Sequence, residues 1–90
     1  MKQPKYQDVN PLTKLHEGEP FFFLRAQDRL STDTVIAYSK LLQIESNSAA
    51  QRGEDDLALS LANDACRVMC FAHKFLDWQQ ANPDKVKLPD

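Results

Sequence analysis

The chain has 90 residues, which is enough for one domain. Eleven Lys and Arg residues nearly balance thirteen Asp and Glu residues, so the net charge of −2 argues against a general nucleic-acid binder. No apolar run approaches the roughly 18 residues of a membrane span, and the polar N-terminus does not resemble a signal peptide. We therefore expect a small cytoplasmic protein that does not contact membranes.

The first third of the chain is predicted to lack a long helix. Residues 1–18 contain two prolines and a glycine and are expected to form an N-terminal arm along the domain surface, pinned by Leu12 and Leu15, or else a structureless tail. Residues 20–28, here named the Phe segment, are strand-like because aromatic residues favour a pleated surface. No second strong strand follows, so the Phe segment pairs with the arm, pairs with a second copy, or stays an extended coil.

Two helices are predicted in the remainder of the chain. The hydroxyl of Ser31, followed by an acidic residue, indicates a cap for a first helix over about residues 32–50. Gly53 is the expected stop. Three consecutive acids favour the start of a longer helix over about residues 54–81, which ends there because Pro83 cannot continue it.

These elements predict a mainly α fold. We expect an antiparallel helical hairpin, crossed by the N-terminal arm and by one short extended or strand segment, and completed by oligomerisation. The single helical domain covers residues 19–82, and residues 83–90 form an extended C-terminal tail.

The second helix carries more apolar surface than one chain can cover. Two adjacent apolar lines run along it, and small domains bury a modest fraction of their surface, so we expect a homo-oligomer. The predicted interface consists of Leu61, Ala65, Val68, Ala72, Phe71 and Trp78. Phe71 and Trp78 lie on an otherwise polar line, so ordinary surface positions are the alternative for these two residues.

The sequence offers little for metal binding or catalysis. Cys66, Cys70 and His73 lie near one face of the second helix, and thiolate and imidazole bind zinc. Three ligands from one helix with no fourth clearly placed match no known zinc pattern, so we expect free buried thiols, no metal and no cofactor. Neither histidine lies in a nucleophile motif and no Gly-rich phosphate loop is present, so we expect no enzyme activity.

A polar cluster at the end of the Phe segment is the candidate ligand site. Arg25 and Gln27 offer donors to an anion or a base edge, and Phe21 and Phe23 offer apolar walls where two subunits meet. Asp28 completes the cluster. The alternative is structural: Asp28 braces the start of the first helix, and Arg25 pairs with a nearby acid.

The segment Glu19-Pro20-Phe21-Phe22-Phe23-Leu24-Arg25-Ala26-Gln27-Asp28, followed by a helix, Trp78 and a closing Lys87-Leu88-Pro89-Asp90, resembles a family of small proteins encoded by tailed bacteriophages and prophages. The resemblance carries over no catalytic or binding residues. It implies an accessory protein of the host cytoplasm, acting against host defence by sequestering a nucleotide signal or by masking a host protein. A structural or assembly factor of the virion is the third possibility.

Overall fold

The computed structural model describes residues 15–88 and confirms the mainly helical fold. Helix α1 spans Ser31–Gln51 and helix α2 spans Asp55–Ala81, each beginning and ending within one residue of its predicted limits. The two helices pack against each other as an antiparallel hairpin, and a short 3-10 helix at Pro83–Lys85 follows. Within the described residues, no helix is apolar over sufficient length to cross a membrane.

A tight turn joins the helices, and Gly53 ends α1 as predicted. Its φ of 79° is a left-handed conformation that glycine adopts without a Cβ clash. The Gly53 N–H donates to the Ala50 carbonyl at 3.0 Å, and the Glu54 N–H donates to the Ala49 carbonyl at 2.9 Å, which satisfies two of the last helical carbonyls. Arg52 donates to the Glu54 carboxylate at 3.0 Å, and this hydrogen bond, reinforced by the opposite charge, lowers the pKa of Glu54.

Small residues at intervals of seven form the contact between α1 and α2. Residues at this spacing share one face, because seven residues make nearly two helical turns. The Ser39 hydroxyl donates to the Ala65 carbonyl at 2.8 Å, and the Ser46 hydroxyl donates to the Ala58 carbonyl at 2.6 Å. Only one carbon separates a serine hydroxyl from its backbone, so these bonds require the two helices to approach closely. The buried residues of this small-residue contact are Thr32, Ser39 and Ser46 on α1, and Ala58, Ala65 and Ala72 on α2.

The hydrophobic core of the described residues is correspondingly small. Its buried members are Ala49, Ala58, Ala65, Val68 and Ala72. Close approach leaves no room for large side chains between the helices, so these lie beside the contact or face outward. The large apolar side chains exposed on the helices are Tyr38, Leu41, Ile44, Leu57, Leu59, Leu76 and Trp78.

The Phe segment does not form a strand in the described part of the chain. Residues 19–25 have no regular structure, and a single parallel bridge joins Asp28 to Lys87 farther along. Aromatic residues favour a strand only where a pleated neighbour gives them a surface to pack on. The hairpin offers no such neighbour, so residues 19–25 are coil within the described chain. Pairing with the arm, residues 1–14, lies outside the described residues, and pairing with a second copy stays a prediction.

The C-terminal segment folds back, which corrects the predicted extended tail. After the 3-10 helix, the Lys87 N–H donates to the Gln27 carbonyl at 2.9 Å, and the Lys87 carbonyl accepts from the Arg29 N–H at 2.9 Å. These bonds give the end of the Phe segment the backbone partner that the sequence left open. Most of the predicted N-terminal arm, residues 1–14, lies outside the described residues.

Enlarging one alanine of the small-residue contact tests the close approach of the helices. Ala65→Leu is expected to destabilise the protein by about 1–3 kcal/mol, because the added carbons push the helices apart and break the Ser39 hydrogen bond. Ala50→Leu is the matched control, since Ala50 is exposed on α1. Its effect is expected to stay within about 0.5 kcal/mol. Urea unfolding at one fixed protein concentration measures both, and equal losses would contradict the contact.

Candidate functional site

The candidate ligand segment ends in a turn that leads directly into α1. Residues 25–30, here named the entry turn, lie beside the C-terminal end of α2 and the Lys87 backbone. The Asp28 N–H donates to the Arg25 carbonyl at 3.0 Å, and the Ser31 N–H donates to the Asp28 carbonyl at 3.0 Å. The entry turn, the C-terminal end of α2 and the Lys87 backbone meet at this end of the hairpin.

The side chain of Gln79 joins these parts. Its Nε2 donates to the Ala26 carbonyl at 2.9 Å, to the Asp28 carbonyl at 3.1 Å and to the Ser31 hydroxyl at 3.1 Å. Its Oε1 accepts from the Thr32 hydroxyl at 2.9 Å. An amide nitrogen carries two hydrogens, so at least one of them is shared between two acceptors. This arrangement, here named the Gln79 clasp, ties α2 to the entry turn and to the first turn of α1.

The start of α1 is held differently from the sequence prediction. Leu30 occupies the N-cap position and provides no side-chain cap. The hydroxyl of Ser31, expected to be the cap, accepts from Gln79 instead, because Ser31 is fully buried at this end of the hairpin. The Asp28 carboxylate accepts the Leu30 N–H at 2.8 Å, and the Thr34 hydroxyl donates to the Leu30 carbonyl at 2.8 Å. Asp28 therefore braces the helix start, which is the structural role that the sequence left open.

The candidate ligand residues divide into an exposed group and a tethered group. The rings of Phe21 and Phe23 form an edge-to-face pair with centroids 5.5 Å apart, and both rings are more than half exposed. Arg25 is also exposed, so its guanidinium reaches solvent. Gln27 and Asp28 are half-buried, and their carbonyls are bound within the fold. Any direct contact with a ligand therefore falls first to Phe21, Phe23 and Arg25.

The predicted interface residues also divide into two groups. Ala65, Val68 and Ala72 are buried in the hairpin itself, so a second chain reaches them only by displacing α1. The prediction that these three residues lie between two copies is corrected: they lie between the two helices of one chain. Their small size lets α1 approach α2 closely there. The residues that keep accessible surface are Leu61, Phe71 and Trp78.

Cys66 and Cys70 are free, as expected, but they are exposed rather than buried. The buried face of α2 is centred on Ala65 and Ala72, and both thiols lie to one side of it. His73 is exposed as well. Within residues 15–88, no three Cys, His, Asp or Glu side chains come close enough to hold a metal ion. The absence of a bound metal stays a prediction.

Sequence reasoning missed Gln79 and Lys87. One signal was present for Gln79, which continues the interval of seven that runs through Ala58, Ala65 and Ala72. A polar residue on the buried line of a helix needs partners, and that need pointed to a contact near the start of α1. The backbone bonds of Lys87 to the entry turn leave no signal in the sequence, because any residue except proline can make them.

Removing the carboxamide of Gln79 tests the clasp. Gln79→Leu is expected to destabilise the protein by about 2–4 kcal/mol, because both hydroxyls of the clasp and the Ala26 carbonyl lose the carboxamide as a partner in a half-buried site. Gln80→Leu is the matched control, since Gln80 is exposed one residue farther along α2. Its effect is expected to stay within about 0.5 kcal/mol. If chemical denaturation gives the two variants the same stability, the clasp does not hold this end of the fold.

Comparisons with protein-family models, with curated proteins and with solved structures found no match to this chain. The resemblance of residues 19–28 to small phage proteins therefore stays a prediction.

Proposed function

We propose that this chain is a non-enzymatic binding protein that works as a homo-oligomer. The observation that carries the proposal is the distribution of apolar side chains. In the described residues the buried core consists of four alanines and one valine, whereas the large apolar side chains of both helices keep exposed surface. Burial of apolar surface stabilises by about 25 cal/mol per Å². A second copy offers the cover that α1 and α2 do not give each other.

The mass of the protein in solution tests the homo-oligomer. Light scattering coupled to size-exclusion chromatography is expected to give at least twice the chain mass of 10.3 kDa. Dilution is expected to lower this mass if the subunits exchange, because association depends on concentration. A particle of one chain mass at every concentration up to the millimolar range would overturn the proposal.

The ligand we propose is a small anion of the nucleotide class, sequestered where subunits meet. The Arg25 guanidinium is planar and permanently charged, which suits a phosphate group. The exposed pair of Phe21 and Phe23 offers an aromatic edge and face against which a base can stack. Gln27 and Asp28 support these residues through the entry turn. The specific observation in favour is that the guanidinium and both rings are exposed within five residues of one another.

The biological role that follows is counter-defence in the host cytoplasm, as the resemblance to phage proteins implies. A protein that sequesters a nucleotide signal needs affinity but no catalytic group. An inhibitor of a host protein, or a virion assembly factor, is the alternative. The observation in favour of these two protein-binding roles is the set of exposed apolar side chains on both helices. The buried centres of protein interfaces are depleted in charged residues, so apolar surface of this kind suits them.

A panel of cyclic and linear nucleotides separates these roles. Calorimetry is expected to show binding of at least one nucleotide to the wild type, and Arg25→Ala is expected to weaken it roughly 10- to 150-fold, because a charged hydrogen bond is lost. Arg29→Ala is the matched control, an exposed arginine of the same entry turn that is expected to keep the affinity.

Two results would contradict the nucleotide proposal. If the wild type binds no nucleotide, sequestration fails and the protein-binding alternative remains. If folded Arg25→Ala binds as tightly as the wild type, the site lies elsewhere, and Phe71 and Trp78 are the next residues to vary. Neither result bears on the homo-oligomer, which the mass decides.

A further inference from the structure

The outward face of α1 carries a line of residues with coiled-coil spacing. Ala37, Leu41, Ile44 and Ser48 follow one another at intervals of four, three and four residues. This is the spacing at which one helix meets another along a continuous seam. Leu41 is 58% exposed and Ile44 is 57% exposed, so the hairpin leaves more than half of the surface of the two largest members uncovered. These four residues are named the outer seam.

The outer seam lies on the side of α1 that faces away from α2. Each residue turns an α-helix by about 100°, so Leu41 lies about 200° around the helix from Ser39, as does Ile44 from Ser46. Both serines are buried and bind carbonyls of α2. A further helix can therefore pack on the outer seam without displacing α2.

Charged residues on the two flanks of the outer seam indicate which helix covers it. Lys40 lies on one flank and Glu45 lies on the other, and both are exposed. The two residues are about 140° apart around α1, so they do not pair with each other within one chain. In two parallel helices, a residue on one flank meets the residue five positions later on the opposite flank of the neighbour. Lys40 and Glu45 have this spacing, so two parallel copies form two pairs of opposite charge, one on each side of the seam.

We propose that the outer seam of α1 binds the outer seam of a second copy in parallel, with Lys40 of each chain against Glu45 of the partner subunit. The inference rests on the proposed homo-oligomer and names its contact face. An antiparallel pair sets each flank against the same flank of its neighbour, so Lys40 does not meet Glu45 there. Parallel pairing also brings both entry turns to the same end of the assembly. A ligand site shared between subunits requires this placement.

Cysteine cross-linking tests the parallel orientation. Ala37→Cys, in a chain whose two native cysteines are replaced by serine, is expected to form a disulfide-linked dimer on mild oxidation, because residue 37 of one copy lies against residue 37 of the other. An antiparallel seam centred between Leu41 and Ile44 separates these positions by about 16 Å along the axis, beyond the reach of a disulfide. Ala50→Cys is the matched control, an exposed alanine of α1 outside the outer seam that is expected not to cross-link.

Charge reversal tests the Lys40–Glu45 pairing independently of cross-linking. Lys40→Glu and Glu45→Lys are each expected to raise the dissociation constant about fivefold or more at low salt, because two attractive pairs become repulsive. The double variant is expected to restore wild-type affinity. The restoration is diagnostic because the two residues do not meet within one chain.

A pair of leucine substitutions completes the experiment. Leu41→Asp is expected to lower the solution mass to that of one chain, whereas Leu59→Asp, at a 64% exposed leucine on α2, is expected to leave it unchanged. A wild-type monomer would refute the homo-oligomer itself. An oligomer that fails to cross-link through Ala37→Cys, or whose charge reversals do not compensate, would refute the parallel seam and leave the homo-oligomer standing.

Discussion

The carboxamide of Gln79 is the contact on which the open end of the hairpin depends. Its partners lie 47 to 53 residues earlier in the sequence, in the entry turn and in the first turn of α1. A carboxamide suits this place because it donates to carbonyls and accepts from a hydroxyl at once. Asp28 and the Lys87 backbone add further hydrogen bonds to the same turn. Through them, the entry turn is held by the end of α2 and by the Lys87 backbone rather than by any strand.

The small-residue contact decides how the rest of the apolar surface is distributed. Serine hydroxyls bound to carbonyls of the opposite helix hold the backbones close, and alanines fill the little space that remains. A hairpin held in this way gains less from hydrophobic burial than one packed with leucines. Leu41 and Ile44 therefore face away from the contact. One cause, the short distance between helices, accounts both for the small core and for the large apolar side chains that stay exposed on the helices.

Local signals predicted the local structure, and distant contacts explain what was missed. The stop at Gly53 and the acids at the start of α2 act within one turn of a helix, so composition and spacing were enough. The assignment of Ser31 as a cap was wrong because its hydroxyl accepts a hydrogen bond from Gln79, which lies 48 residues later in the sequence. Phe21, Phe23 and Arg25 are exposed, and their ligand role stays a prediction. The engagement of Asp28 follows from its position before α1. The hydrogen bond between Gln79 and the Ser31 hydroxyl depends on how the two helices pack, which local sequence patterns do not specify.

The large sequence separation across the Gln79 clasp also orders the assembly of the chain. The turn at Gly53 brings α1 and α2 together over a few residues, which is a fast, local closure. The entry turn can dock only after residue 79 is available, and its bridge to Lys87 needs a residue that lies farther along still. During synthesis, then, the aromatic residues of the Phe segment emerge before the residues that hold the entry turn. The hairpin closes through the short turn at Gly53, whereas the entry turn docks through contacts between residues 47 to 53 positions apart.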